Sequence, residues 1–384
     1  MKFRMQYLKP FYLLLLSLFS IQLGVAQKRN FDQELRALAE KHEAVGLTVL
    51  VVKNGKPIYE KAIGYKDLEN KTPLSTKDLF RIASISKSFS ATAIMQLVEQ
   101  GKISLDDDFS DLIGFKVRNP KFPDTKITLE MVLSHRSSIN DSNGYFSLDV
   151  LDPSKNEKWA KSYNNYEPGK GYAYCNLNFN MVGAVLERLT NVRFDSYIKQ
   201  QILNPLKLEA GYCIDSLDNR RFVKLYELED GSFKEQPSAY NPRSEEIKNY
   251  VMGESTPVFS PTGGMKISTK DLARYMMMHM NYGRLGKVKI LEEASARRMQ
   301  KGLTEKEKYG LALLENTNLI AGEHMVGHTG SAYGLYSNMF FEPEKKFGFI
   351  VITNGCSPTY VADGDTLNFS KEVINLLYRN FIKK

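Results

Sequence analysis

The chain is 384 residues long, 42% hydrophobic and 25% charged, the composition of a globular protein large enough to bury an extensive core. Its formal charge of +8 is interspersed rather than gathered in basic blocks, which argues against a nucleic-acid partner. Three cysteines, Cys175, Cys213 and Cys356, are too few and too odd in number for a disulfide framework; they read as buried apolar residues, with room for one bridge at most.

In chain order, residues 1–26 read as an export signal. Lys2, Arg4 and Lys9 precede an apolar run over 11–25, and Gly24, Val25 and Ala26 supply a small-residue cleavage site. The run falls short of the roughly 20 residues that cross a bilayer, so no stable membrane span is expected once the signal is removed. Removing these three basic and no acidic residues takes the charge from +8 to +5. A bacterial periplasmic or extracellular location follows.

Residues 31–42 have helical spacing, and 45–53 are β-branched and apolar enough for a buried strand. Asn54-Gly55 marks a tight hairpin into 58–65. A strand-like entry then leads into RIASISKSFSATAIMQLVEQG, residues 81–101. Here Ser84 and Lys87 sit one turn apart on one face of a helix that Gly101 ends. Thr128 is a candidate N-cap for 129–133. Residues 134–169 form a polar, turn-rich region carrying Tyr145, Phe146, Trp159, Tyr163 and Tyr166, and an amphipathic helix is expected over 179–189. Mixed helix and loop fill 197–250. The turn Ser260-Pro261-Thr262-Gly263-Gly264 precedes a helix over 269–280, whose methionines read as core filling. Strands are expected at 309–314, 324–327, 335–341 and 347–353, with turns at 342–346 and around Gly330, before a closing helix over 367–382.

Strands at both ends around a helical middle imply an α+β fold, with one antiparallel sheet built from the two termini, flanking helices and an all-helical insertion. The expected division is a sheet lobe over about 27–75 and 300–384 and a helical lobe over about 76–299, forming one domain over 27–384. His42, His135, His279, His324 and His328 make no metal-ligand pattern, because Gly327 and Gly330 argue against the helix that the pair His324 and His328 would need. No metal or cofactor is expected.

Three short motifs occur in order: Ser84-Ile85-Ser86-Lys87, Tyr174-Cys175-Asn176 and His328-Thr329-Gly330. With them, and with VLSHRSSI at 132–139 and SPTGGMKISTKDLARY at 260–275, nearly the whole mature chain resembles the penicillin-recognising serine hydrolases. That family includes class C β-lactamases, serine D,D-carboxypeptidases, D-aminopeptidases and β-lactamase-like esterases. The resemblance implies a β-lactamase/transpeptidase-like fold and acyl transfer through an acyl-serine without a cofactor. Ser84 would be the nucleophile, Lys87 its base and Tyr174 the proton relay. Asn176 would hold Lys87 and a substrate amide or carbonyl. His328, Thr329, Gly330 and Ser331 would line the substrate, with the backbone N–H groups of Ser84 and Ser331 as oxyanion hole.

His328 stands where true class C β-lactamases carry lysine, so the resemblance leans towards peptidases and esterases and implies weak β-lactam turnover. Recognition of a substrate carboxylate then falls to a protonated His328 or to an arginine elsewhere. The leading expectation is an exported serine hydrolase acting on a small-molecule or peptide ester or amide, with the aromatic loop at 145–172 suggesting an apolar group. An acyltransferase using an alcohol or amine acceptor, and a non-catalytic penicillin-binding or sensing module, are the alternatives. His135 is expected to pack rather than react. The oligomeric state stays open.

Overall fold

The sequence GLTVLVVK folds as strand β1 (Gly46–Lys53). Its side chains alternate between two cores, with Leu47, Val49 and Val51 on one face and Leu50 and Val52 on the other. Burial on both faces removes any need for polar alternation. Asn54 and Gly55 adopt φ of 53° and 68°, the left-handed pair of a tight hairpin, and return the chain as β2 (Lys56–Asp67). The computed structural model describes residues 31–359 and 367–383, so the export-signal reading of 1–26 lies outside the described residues.

Five more strands complete the main sheet: β3 (Thr72–Pro73), β4 (Leu314–Asn316), β5 (Met325–Ala332), β6 (Leu335–Glu342) and β7 (Phe347–Thr353). Their spatial order is β4-β5-β6-β7-β1-β2-β3, antiparallel throughout, with Val49 opposite Val351 where the two chain ends meet. This is the mixed helix-and-sheet architecture expected from the sequence. One face is covered by helices α1 (31–41) and α5 (Asn368–Leu377), through Phe31, Leu35, Phe369 and Ile374. The larger core on the other face holds α2 (Ser86–Glu99), α3 (Asn176–Thr190) and α4 (Thr269–Met280). Met276, Met277, Met278 and Met280 are buried there as core filling.

The structure corrects three expectations. The insertion is not wholly helical: Leu79–Arg81 pairs with Lys266–Ser268, Tyr226–Glu229 with Ser232–Glu235, and Arg284–Leu285 with Val288–Lys289. The last two are short hairpins whose turns use Asp230, Gly231 and Gly286 at positive φ. Residues 309–314 are not a strand, because Ala312 turns left-handed at φ 60° and strand geometry begins only at Leu314. Gly330 does not mark a turn: β5 runs straight through it to Ala332, and the chain reverses at Tyr333 and Gly334, both at positive φ.

Helix α3 is tied to its surroundings by one carboxylate. Glu187, 1% exposed, accepts hydrogen bonds from Phe194 N at 2.7 Å, Tyr250 Oη at 2.5 Å, Gly253 N at 2.7 Å and Thr256 Oγ1 at 2.7 Å. Glu187→Ala leaves four donors without this acceptor, and a buried donor without a partner costs about 1–3 kcal/mol. Urea melts of the variant should show at least about 3 kcal/mol lost; an unchanged midpoint would show that α3 is held by other contacts.

Candidate active site

Strand Leu79–Arg81 delivers the chain into a single 3₁₀ turn, Ala83–Ile85, immediately ahead of α2. Ser84 therefore lies in the turn before the helix rather than on its first residue. Ala83 sits at φ 50°, a left-handed conformation that is unfavourable for alanine and persists only where the surroundings impose it. The constraint is visible on both sides: Ile82 N donates to Met265 O at 3.0 Å, and Ser337 Oγ donates to Ile82 O at 2.8 Å. Behind Ser84, α2 is buried from Ser86 to Met95. Its small hydroxyls close on local carbonyls, Ser88 Oγ on Ile85 O at 2.7 Å and Ser90 Oγ on Pro261 O at 3.0 Å.

Lys87 is 0% exposed. Its Nζ lies 3.0 Å from Ser84 Oγ, 2.9 Å from Asn176 Oδ1 and 3.0 Å from Thr262 O. Two of these neighbours are carbonyl oxygens, which only accept; the third is a hydroxyl, which also donates. A neutral amine fits this set, giving its two N–H to the carbonyls and taking the Ser84 proton into its lone pair. Burial pushes the Lys87 pKa down to about 7, opposed by Asp141 and Cys175 and helped by Arg81.

Tyr174 stays 40% exposed along the cleft, with Lys87 Nζ 4.7 Å from its ring centroid. Its hydroxyl holds its proton well above the ordinary phenol range because of desolvation, opposed by Ser84. Asn176 is oriented from behind by Asp141. One carboxylate oxygen accepts Asn176 N at 2.8 Å and Asn176 Nδ2 at 3.0 Å; the other accepts Leu177 N at 3.0 Å and Cys175 Sγ at 3.2 Å. Asp141 thus caps α3, whose own N-cap residue Cys175 makes no side-chain cap. His135 Nδ1 accepts Cys175 N at 3.1 Å, and its ring packs 4.3 Å from that of Tyr174, the packing role expected of it.

On the opposite wall, β4 pairs only with Met325–Gly327 of β5, so among the described residues no strand covers the edge from Thr329 to Ala332. A Cβ on Gly330 would lie 2.3 Å from Ile82 O and 3.1 Å from Ser84 N, so only glycine lets β5 approach the Ser84 turn this closely. His328 is buried between Tyr309 Oη at 2.9 Å from Nε2 and the Thr329 carbonyl against Nδ1. The carbonyl requires a proton on Nδ1, so Nε2 accepts from Tyr309. Burial, reinforced by Lys87, pushes the His328 pKa down to about 3. A protonated His328 therefore does not supply a positive charge here.

Ser84, Tyr174, Asn176, His328, Thr329 and Ser331 line one open cleft of ≈ 1340 Å³, with Lys87 and Gly330 packed immediately behind it. Tyr145, Phe146 and Tyr172 of the aromatic loop reach it, whereas Trp159, Tyr163 and Tyr166 do not. Asp141, Tyr309 and Thr262 were not singled out from the sequence. The three cysteines are buried and unpaired. Among the described residues no His/Cys/Asp/Glu group could hold a metal, and no helix is long and apolar enough to cross a membrane.

The family model described as Beta-lactamase matches residues 31–371. Protein flp of Staphylococcus aureus (strain MRSA252) is 25% identical over 340 residues, covering 85% of this chain and 63% of its own length. The chain therefore spans less than two thirds of that relative. Two solved structures share the fold. The octameric penicillin-binding protein homologue from Pyrococcus abyssi has a TM-score of 0.71 at 23% identity, covering 91% of this chain and 76% of its own. EstCE1, described as a hydrolase with promiscuous acyltransferase activity, has a TM-score of 0.71 at 20% identity, covering 92% and 100%.

A folded-state pKa of about 3 lies below the ordinary 6.5, so His328 is neutral from roughly pH 5 upwards. Long-range ¹H–¹⁵N correlation spectra should show its Nδ1-protonated tautomer unchanged between roughly pH 5 and 8. A titration midpoint near 6.5 would contradict this geometry.

Proposed function

The chain belongs to the Beta-lactamase family, and on that premise we propose that it is a serine hydrolase that cleaves an ester or amide through an acyl-serine at Ser84. The observation that carries this reading is the buried Lys87 amine, 3.0 Å from Ser84 Oγ, with both its other neighbours limited to accepting.

Ser84 Oγ attacks the substrate carbonyl carbon as its proton passes to the neutral Lys87 amine, and the carbonyl π pair moves onto oxygen. The N–H groups of Ser84 and Ser331 stabilise this oxyanion, each donor contributing about 3–4 kcal/mol in sites of this kind. When the tetrahedral adduct collapses, the carbon–leaving-group bond breaks and the leaving atom takes a proton from Lys87 by way of the Tyr174 hydroxyl. Water then attacks the ester carbon, gives its proton back along the same route and releases the acid with Ser84 restored. His328, neutral and buried, lines the leaving-group side.

Residues 1–26 support export, to the periplasm or beyond. The missing fixed cation at His328 supports weak turnover of β-lactams. A second reading, transfer of the acyl group to an alcohol or amine, is supported by the open cleft and by the fold shared with EstCE1.

Intact-mass spectra of the protein incubated with an activated short-chain ester and with a penicillin should show one acyl adduct, absent in Ser84→Ala. Lys87→Met should slow its formation by at least about 10³-fold. Penicillin turnover near the diffusional ceiling would overturn the weak β-lactamase reading, and an adduct surviving in Ser84→Ala would overturn the nucleophile. Only free acid at saturating alcohol or amine would count against transfer.

A further inference from the structure

Beside the catalytic cleft is a second cavity of ≈ 350 Å³. Arg81, Phe146, Ser260 and Tyr333 line both, so the two spaces adjoin. Its walls carry Arg81, Lys266 and Arg243.

Arg81 and Lys266 are direct cross-strand partners in the ladder that feeds the Ser84 turn. Directly opposed residues share a face with their Cβ atoms roughly 5 Å apart, and like charges placed so repel. Lys266 is 6% exposed and gives one hydrogen bond, to Tyr212 O at 2.8 Å. Among the described residues no carboxylate pairs with Lys266 or Arg81; the Tyr333 ring, 5.0 Å from the guanidinium carbon, offers a weak cation–π contact. Arg243 is paired with Glu246 at 2.9 Å and leaves the excess charge to the other two. Burial, with Arg81 and Arg243 nearby, pushes the Lys266 pKa down to about 7, opposed by Cys213 and Asp215.

A hydroxyl on the same cavity lacks a partner. Ser260 Oγ is buried without a hydrogen bond, on a residue 8% exposed and held left-handed at φ 52°. It and Arg81 Nη2 stand 3.7 Å and 3.5 Å from one point, the position a Cβ on Gly263 would take. A buried guanidinium, an opposed lysine whose charged form burial disfavours and an orphaned hydroxyl on one cavity are costly in isolation, and a bound oxyanion would favour the charged lysine and satisfy all three.

We propose that this cavity is a subsite for an anionic terminus, carboxylate or phosphate, carried on the acyl part of the substrate. The proposal rests on the acyl-serine reading above and adds the substrate class. Arg81 supplies the fork, Lys266 a second donor whose charged form the anion favours, and Ser260 a neutral donor.

The test compares 4-nitrophenyl hexanoate with 4-nitrophenyl hydrogen adipate, near-isosteric esters that differ in the terminal charge. In the wild-type protein kcat/KM should favour the adipate ester by at least about tenfold. Lys266→Met should remove most of that preference. Ser260→Ala, which alters no charge, should reduce it by about threefold and serves if Lys266→Met fails to fold. Free adipate and inorganic phosphate, added as competitors of the hexanoate ester, separate the two sources: the stronger competitor identifies the terminus. Equal kcat/KM for the two esters, with Ser84 acylated by both, overturns the subsite and leaves the acyl-serine reading standing, and so does absence of competition by either anion. No Ser84 adduct from either ester overturns the reading beneath it.

Discussion

The structure depends on one contact: a lysine amine removed from water and set against a serine hydroxyl, with two carbonyl oxygens as its other neighbours. A charged ammonium in that position lacks any carboxylate in direct contact, and burial lowers its proton affinity. Much of the surrounding structure keeps this geometry fixed. Helix α2 is buried on all sides, so Lys87 cannot swing out. Asn176 is clamped by Asp141 and by Thr262 Oγ1, which donates to Asn176 Oδ1 at 2.9 Å, so the amide presents only its oxygen to Lys87.

Getting Ser84 to the same place requires a strained approach. Ala83 is forced left-handed between the Ile82 contacts and β5, and glycine at 330 lets the strand edge come within reach of the Ser84 backbone. The cleft has two unlike sides as a result. At His328 itself it is uncharged, with histidine and Tyr309 satisfying each other. Towards Ser260 it is positively charged and under-satisfied. A substrate bound at Ser84 would meet an uncharged His328 and, in the adjoining cavity, the Arg81–Lys266 pair, and that pair is the basis for placing an anion there.

Much of this was legible in the residues. Apolar runs gave the β1 and β7 strands, Asn54-Gly55 gave the hairpin, and Thr128 caps its helix by accepting Met131 N at 3.3 Å as its sequence position suggests. The three motifs were readable because each packs chemistry into three or four adjacent residues. Asp141 was not, since in SINDSNG it looks like any turn aspartate, and its role exists only once α3 is docked 35 residues later. Tyr309 was hidden inside a segment read as strand. The Arg81–Lys266 opposition was equally invisible, because register between distant strands is a tertiary property. Reading Gly330 as a turn failed for a related reason: its glycine serves close approach, not chain reversal.

The central claim is that burial brings the Lys87 pKa down to about 7, so that a large fraction of the amine is the free base near neutral pH. Its most direct test is the titration of the lysine side chains by NMR with ¹³Cε labelling, with Lys87→Met and Lys266→Met identifying the two low-lying resonances. The account predicts a resonance, lost in Lys87→Met, that titrates with a midpoint of about 7. A Lys87 midpoint near the ordinary 10.5 would leave the amine charged at neutral pH, and the assignment of Lys87 as the base for Ser84 would fall.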